Sequence, residues 1–278
     1  MLTSTPGFVY CSHNLNTPSS VLFIQGGGGA LSNMDVCCDG IQDGPADDGR
    51  CDTDPSYLSI TAFQWIVESY GVGNQTDLDA NVHPYVVFGN TAEDGNDGWP
   101  TFDPQEYGIE PLSVMAVLCG GKLFYGIWGD MNGDDGDAAM VGEASISLAT
   151  ACYGMDMNGN HGYDGDDVLY LAFPGEDAVP GKDGAKWDAR NFDEFEASIS
   201  DLGDKLMKRL DQAREDGTEP DESSNGGQDK EDDQGQDQDQ DQTEGQQTGN
   251  GNAGGNDDAE SRACRAQPLS SVIGNLLK

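Results

Sequence analysis

The 278-residue chain carries 51 Asp and Glu against 13 Lys and Arg, a formal net charge of −38, with Gly at 39 positions. Such a surface repels phosphate backbones and anionic headgroups, which excludes nucleic-acid binding by counterion release and docking on an anionic membrane. A field of this sign selects cations, either metal ions or a positively charged polymer.

Residues 1–19 carry no periodic signal and are expected to be irregular, ahead of one domain over residues 20–212. Val21–Gln25 reads as a strand running into the turn Gly26–Gly29, and residues 35–56 (DVCCDGIQDGPADDGRCDTDPS) read as a polar loop. In Ile60–Tyr70, Phe63, Ile66, Val67 and Tyr70 sit at helical spacing, yet β-branched and aromatic residues dominate, so helix and strand both remain open. Tyr85–Phe88 reads as a strand. Leu112–Leu118 and Lys122–Trp128, apolar runs around a Cys-Gly-Gly turn, give the clearest hairpin signal. Glu143–Cys152 reads as a short helix with an apolar face of Ala144, Ile146, Leu148, Ala149 and Cys152, and Val168–Phe173 as another strand.

From Asn191 to Arg214 the pattern predicts an amphipathic helix: Phe192, Phe195, Ile199, Leu202, Leu206 and Leu210 fall three or four apart with charges between them. Asp188 is the expected N-cap and Gly217 the stop. Between Gly217 and Glu260 there are 14 acidic residues against one Lys, and the only apolar side chains are Ala253 and Ala259. That run buries nothing to offset its ordering entropy and is expected to be disordered. Residues 261–278 remain unassigned. Without the tail the chain still has a net charge of −25.

No span approaches the roughly 20 apolar residues of a membrane helix. No basic segment followed by an apolar one opens the sequence, so no signal peptide is visible. The seven cysteines, Cys11, Cys37, Cys38, Cys51, Cys119, Cys152 and Cys264, fit no zinc spacing. Cys38 and Cys51 bracket an Asp/Gly loop with little core of its own, and Cys119 and Cys152 end two predicted elements. Both pairs are candidate disulfides, and Cys264 is the candidate odd thiol. The expectation is an oxidising, extracellular compartment, with the leader missing from this chain; buried reduced thiols are the alternative.

The segment FYGIWGDMNGDDGDAAMVGEASISLA, residues 124–149, concentrates the candidate chemistry. A strand rich in aromatics delivers Asp130 into a Gly/Asn/Asp loop, and Glu143 follows Gly142 thirteen residues later. Two carboxyls flanking a glycine-rich cleft are what glycoside hydrolysis needs, one to protonate the leaving oxygen and one to activate water. Tyr125 and Trp128 could offer flat faces to sugar rings. Asp134, Asp135 and Asp137 would raise the pKa of Asp130, and a helix start would lower that of Glu143.

A calcium reading competes at two loops. Asp130, Asn132 and Asp134 match the first ligand positions of an EF-hand, and Asp156, Asn158, Asn160 and Asp164 resemble a second set. Both lack the required Gly and closing Glu, and neither is flanked by two helices. His83, close to Asp77 and Asp79, reads either as a core histidine or, with Asp79, as part of a sugar cleft. The run Gly26–Gly29 lacks the rest of a phosphate loop, and no nucleophile triad is present.

The strings NMDVCCDG (33–40), DLDANVHPYVVFGN (77–90), EPLSVMAVLCGGKLFYGIWGDMNG (110–133), GEASISLA (142–149) and DVLYLAF (167–173) together resemble the fungal endo-chitosanases of glycoside hydrolase family 75. AVPGK (178–182) and FEASISDLGDKL (195–206) extend the resemblance over roughly residues 20–212. It implies inverting hydrolysis of β-1,4 glucosamine linkages in chitosan without a cofactor or metal. By the same analogy Glu143 is the general acid and Asp130 the general base, although the charge arguments above favour the opposite division. The expected substrate contacts are Asp35, Asp39, Asp79, His83, Tyr125, Trp128 and Asn132. The family usually has Asp where this chain has Cys37, and residues 134–140 are unusually acidic between the two carboxyls. The expected fold is mainly β within the α+β class, a small barrel-like domain closed by the 142–152 helix and flanked by the 191–214 helix, in part by analogy with other small inverting hydrolases. The expected protein is a secreted monomer; a non-catalytic acidic binder of chitosan or cell wall is the alternative, and a calcium-dependent structural protein the third reading.

Overall fold

The structure is a computed structural model that describes residues 3–4, 8–13, 17, 20–26, 30–91, 101–133, 141–215 and 273–274. The strands are β1 (Thr3–Ser4), β2 (Phe8–His13), β3 (Val21–Gly26), β4 (Ser32–Cys37), β5 (Tyr85–Asn90), β6 (Val114–Cys119), β7 (Lys122–Asn132), β8 (Glu143–Ser145) and β9 (Tyr163–Ala172). The helices are α1 (Gln64–Tyr70), α2 (Ile146–Tyr153) and α3 (Phe192–Glu215). All strands belong to one mixed sheet with order β1-β2-β3-β9-β4-β8-β5-β7-β6. β6 also pairs with β9, from Met115↔Ala172 to Leu118↔Leu169, so β9, β4, β8, β5, β7 and β6 form a closed circuit of pairings.

That circuit explains the hydropathy. All six residues of β5 and all six of β6 are buried, as expected of strands covered on both faces. Their apolar runs therefore do not alternate. The core contains Trp128, Trp187, Tyr85, Tyr170, Phe88 and Phe195, each essentially inaccessible. The expected β6–β7 hairpin is present in full register from Val114↔Ile127 to Cys119↔Lys122.

Several elements differ from the sequence reading. The N-terminal segment expected to be irregular contains β2, which pairs with β3 along its whole length. The expected polar loop at 35–56 begins inside β4, where Ser32, Met34 and Val36 are buried and Asn33 and Asp35 are partly exposed. This two-residue period was hidden by the polar residues that follow. Ile60–Tyr70 resolves into a turn followed by α1. Glu143 lies on strand β8 and not at a helix start; α2 begins at Ile146, capped by Ser145 Oγ accepting from Leu148 N–H. The cap of α3 is Asn191, whose Oδ1 accepts from Glu194 N–H, and not Asp188. Helix α3 lies against β6 and β7 with Phe195, Ile199 and Leu206 buried, as its stripe predicts.

Cys38–Cys51 and Cys119–Cys152 are disulfides, with Cα–Cα separations of 5.7 and 5.5 Å. The free thiol among the described residues is Cys37, which is buried. Cys264, the Gly26–Gly29 turn beyond Gly26, the acidic loop at 134–140 and the tail at 217–260 lie outside the described residues. No helix among the described residues is long and apolar enough to cross a membrane.

Candidate active site

Four central strands place a row of residues side by side. Asp35 on β4 pairs with Glu143 on β8, Glu143 pairs with Val87 on β5, and Val87 pairs with Asp130 on β7. Glu143 and Asp130 are thus separated by one strand, about 10 Å between backbones at two strand spacings. The β5–β7 register slips between Val86 and Val87, opposite Trp128 and Asp130, which re-aims the end of β7. Gly129 is required there: a Cβ would run into Tyr85 and Leu78. Gly142, at φ +84°, delivers Glu143 in the same way, and its carbonyl accepts from Asp35 N–H at 2.7 Å.

Asp130 is buried, with 4% of its surface accessible. Its Oδ1 accepts from Ala62 N–H at 2.8 Å and from Met131 N–H at 2.9 Å. Burial nevertheless dominates and, helped by the neighbouring Asp39 carboxylate, pushes its pKa up to about 8. Asp39, half-buried, accepts Leu58 N–H at 2.6 Å and a side-chain hydrogen bond from Asp130. Its pKa is raised less, to about 6, chiefly by burial. Burial thus favours the neutral form of Asp130 more strongly than that of Asp39. Asp35 is half-buried, receives Asn33 Nδ2–H at 3.3 Å, and is raised by burial.

Cys37 completes this cluster. Its Sγ and a carboxyl oxygen of each of Asp39 and Asp130 lie within 4.8 Å of one another. The Tyr85 hydroxyl stands 3.2 Å from Cys37 Sγ and 2.9 Å from the Asp39 carbonyl oxygen. Burial, with Glu143, Asp130 and Asp39 close by, holds the thiol well above its usual range and so neutral. A thiol and two carboxyls are the one grouping among the described residues with metal-ligand spacing.

The remaining sequence candidates separate. Trp128 is fully buried, its Nε1–H donating to the Asp130 carbonyl at 2.9 Å and its ring meeting Phe63 edge-on. Tyr125 is buried beneath α3 with its hydroxyl donating to Asp204 at 2.7 Å. Neither presents an open face to a sugar. Asp79 is buried and binds Asn81 N–H, and Asp77 binds both the N–H and the hydroxyl of Thr61. His83 is a core histidine: Nδ1 accepts from Asp79 N–H at 2.9 Å, which leaves Nε2–H to donate to the Trp187 carbonyl at 3.0 Å. Burial lowers its pKa to about 4, so it is neutral. Asn132 is half-buried at the end of β7, with its carbonyl accepting from Thr91 N–H.

In the second calcium-like loop, Asn158 and Asn160 bond to each other and to Thr53, so these side chains tie the loop to the neighbouring turn. The first loop lies largely outside the described residues. Sequence reasoning missed Tyr85 and the backbone donors of Leu58 and Ala62. No local pattern marks them, because they meet Asp39 and Asp130 only through the closed sheet and the turn before α1.

The family model described as fungal chitosanase of glycosyl hydrolase group 75 matches residues 34–209. The chain is 50% identical over 184 residues to endo-chitosanase B of Aspergillus oryzae, covering 66% of this chain and 70% of that protein. It is 48% identical over 204 residues to an endo-chitosanase of Aspergillus fumigatus, covering 73% and 77%. Endo-chitosanase C of Aspergillus oryzae is 33% identical over 182 residues, covering 65% of this chain and 39% of that protein. The chain belongs to the fungal chitosanases of glycosyl hydrolase group 75, which makes it a glycoside hydrolase.

Proposed function

We propose that the protein is a secreted endo-acting hydrolase of β-1,4 glucosamine linkages in chitosan, and that Asp130 and Glu143 are its catalytic carboxyls. The observation that carries the pairing is the row Asp35–Glu143–Val87–Asp130 across β4, β8, β5 and β7. A backbone separation of about 10 Å leaves room for the carboxyl spacing of roughly 6.5–9.5 Å that an inverting enzyme uses to admit water. The six-stranded circuit supports reading the fold as a small barrel, with this row across one wall.

Burial supports a division of labour. Asp130, at about 8, retains a proton at neutral pH and is the general acid. Glu143, half-exposed on a strand rather than at a helix start, is the base that activates water. This reverses the division that the family resemblance implies. Asp39, ionised above about 6, and half-buried Asp35 are the carboxylates beside which the substrate's ammonium groups are held. The two disulfides support the extracellular assignment.

The test is a reducing-end assay on soluble chitosan with product anomers followed by NMR. Asp130→Asn and Glu143→Gln should each lower turnover by at least about a hundredfold, and the first-formed product should be the α-anomer. Near-normal turnover in either variant would remove that residue from the pair. A β-anomer would remove the inverting mechanism, and binding without new reducing ends would make the protein a chitosan binder instead.

A further inference from the structure

A second feature lies one residue from the acid cluster. Residues 57–66 leave that cluster with Leu58 N–H on Asp39 and Ala62 N–H on Asp130. The stretch then forms one wall of a groove of about 480 Å³, whose lining includes Ala62, Trp65, Glu110 and Glu176. Trp65 is 68% exposed, whereas Trp128 and Trp187 are fully buried. Leu58 and Ile60, on the same stretch, are 59% and 50% exposed. An indole this exposed, on a stretch that also exposes Tyr57, Leu58 and Ile60, marks a binding surface rather than a packed one.

The groove's charge is one-sided. Glu110 and Glu176 line it with no Lys or Arg, and neither takes part in an ion pair among the described residues. An aromatic face flanked by carboxylates suits a ligand that is flat, carbon-faced on one side and cationic at an edge: the ring stacks on the indole and the ammonium meets the carboxylates. The volume lies within the range of small-molecule sites.

We propose that this groove is a distal subsite for a protonated glucosamine unit of the polymer whose scissile bond lies at Asp130 and Glu143, with Trp65 as the stacking platform and Glu110 and Glu176 as the amine acceptors. This rests on the function proposed above, and continuity through Ala62 makes the same polymer chain the occupant.

Calorimetric titration of a glucosamine hexamer into the Asp130→Asn protein tests it without requiring hydrolysis. Adding Trp65→Ala should weaken binding about tenfold, the loss expected from removing one aromatic anchor. Adding Glu110→Gln with Glu176→Gln should weaken the glucosamine hexamer severalfold while leaving the N-acetylglucosamine hexamer unchanged. Met155→Ala, an equally exposed apolar residue outside the groove, should leave both affinities as they were. Unchanged hexamer affinity in the Trp65 and Glu variants, or equal weakening of both oligomers by the Glu pair, overturns the subsite. Failure of the proposed function would appear elsewhere, as wild-type enzyme that generates no reducing ends.

Discussion

Replacing Asp130 by Asn tests the site's electrostatics and its chemistry separately. In the folded protein the Asp130 carboxyl titrates at about 8 against an ordinary 3.8. The fold thus holds this proton more tightly than the unfolded chain does. The associated stability is fully present below about pH 4 and declines as pH rises towards 8. At pH 7 the loss amounts to at most about 4 kcal/mol, at 1.36 kcal/mol per unit. An Asn amide reproduces the protonated acid: its oxygen can accept from Ala62 and Met131 N–H, and its NH2 can take over the bond to Asp39. Denaturant unfolding followed across this pH range should find Asp130→Asn equal to wild type near pH 4. Near pH 7 it should be more stable by up to about 4 kcal/mol, even as it loses turnover. A variant less stable than wild type at pH 7, or a parallel pH profile, would show that the resting proton is not on Asp130. The general-acid assignment would fall with it.

Raising ionic strength from about 10 mM to 1 M shortens the screening length from roughly 30 to 3 Å; binding of chitosan should weaken steeply over that range in a titration, while a fully acetylated oligomer should respond little. Cys51→Ser opens the 13-residue separation closed by Cys38–Cys51, next to Asp39, and should lower unfolding free energy by about 3 kcal/mol in denaturant titration. His83, lowered to about 4, must remain neutral in the fold; its stability contribution is full above about pH 6.5 and is lost as pH falls towards 4, and NMR titration of its ring should show no protonation near pH 6. Cys37, buried and held neutral, should react with a thiol reagent only when the protein unfolds.

The sequence was most legible where one segment carries its own pattern. The β6–β7 hairpin and α3 follow directly from their apolar runs, and both predicted cysteine pairs lie at ends of ordered segments. The site was only half legible. Asp130 and Glu143 were visible as carboxyls framed by glycines, but their environment is made by residues remote in the chain. Ala62 N–H reaches Asp130 across 68 positions and Tyr85 reaches Cys37 across 48. Glu143 was misplaced at a helix start because Ala144, Ile146 and Leu148 fit either period, and a three-residue strand is too short to show its own. Residue type alone makes Trp128 look like a sugar platform. Its burial against Phe63 follows from the closed circuit of pairings, which no local window contains.

The net charge also acquires two opposite local consequences. Carboxylates at the surface, such as exposed Glu176 and half-buried Glu110, remain available to draw a cation towards the protein over a Debye length. At Asp130 the same excess of acid, combined with burial and no guanidinium or ammonium among its perturbers, keeps a carboxyl protonated where a balanced site would ionise it. The charge missing from the proposed site is positive, which a glucosamine ammonium would supply. Its arrival beside Asp39 must favour ionisation of the Asp39–Asp130 pair, and by linkage ionisation of the pair must favour its binding. Under the proposed assignment this coupling makes Asp130 a stronger acid once the amine is bound, so the proton it keeps is more readily given to the leaving oxygen.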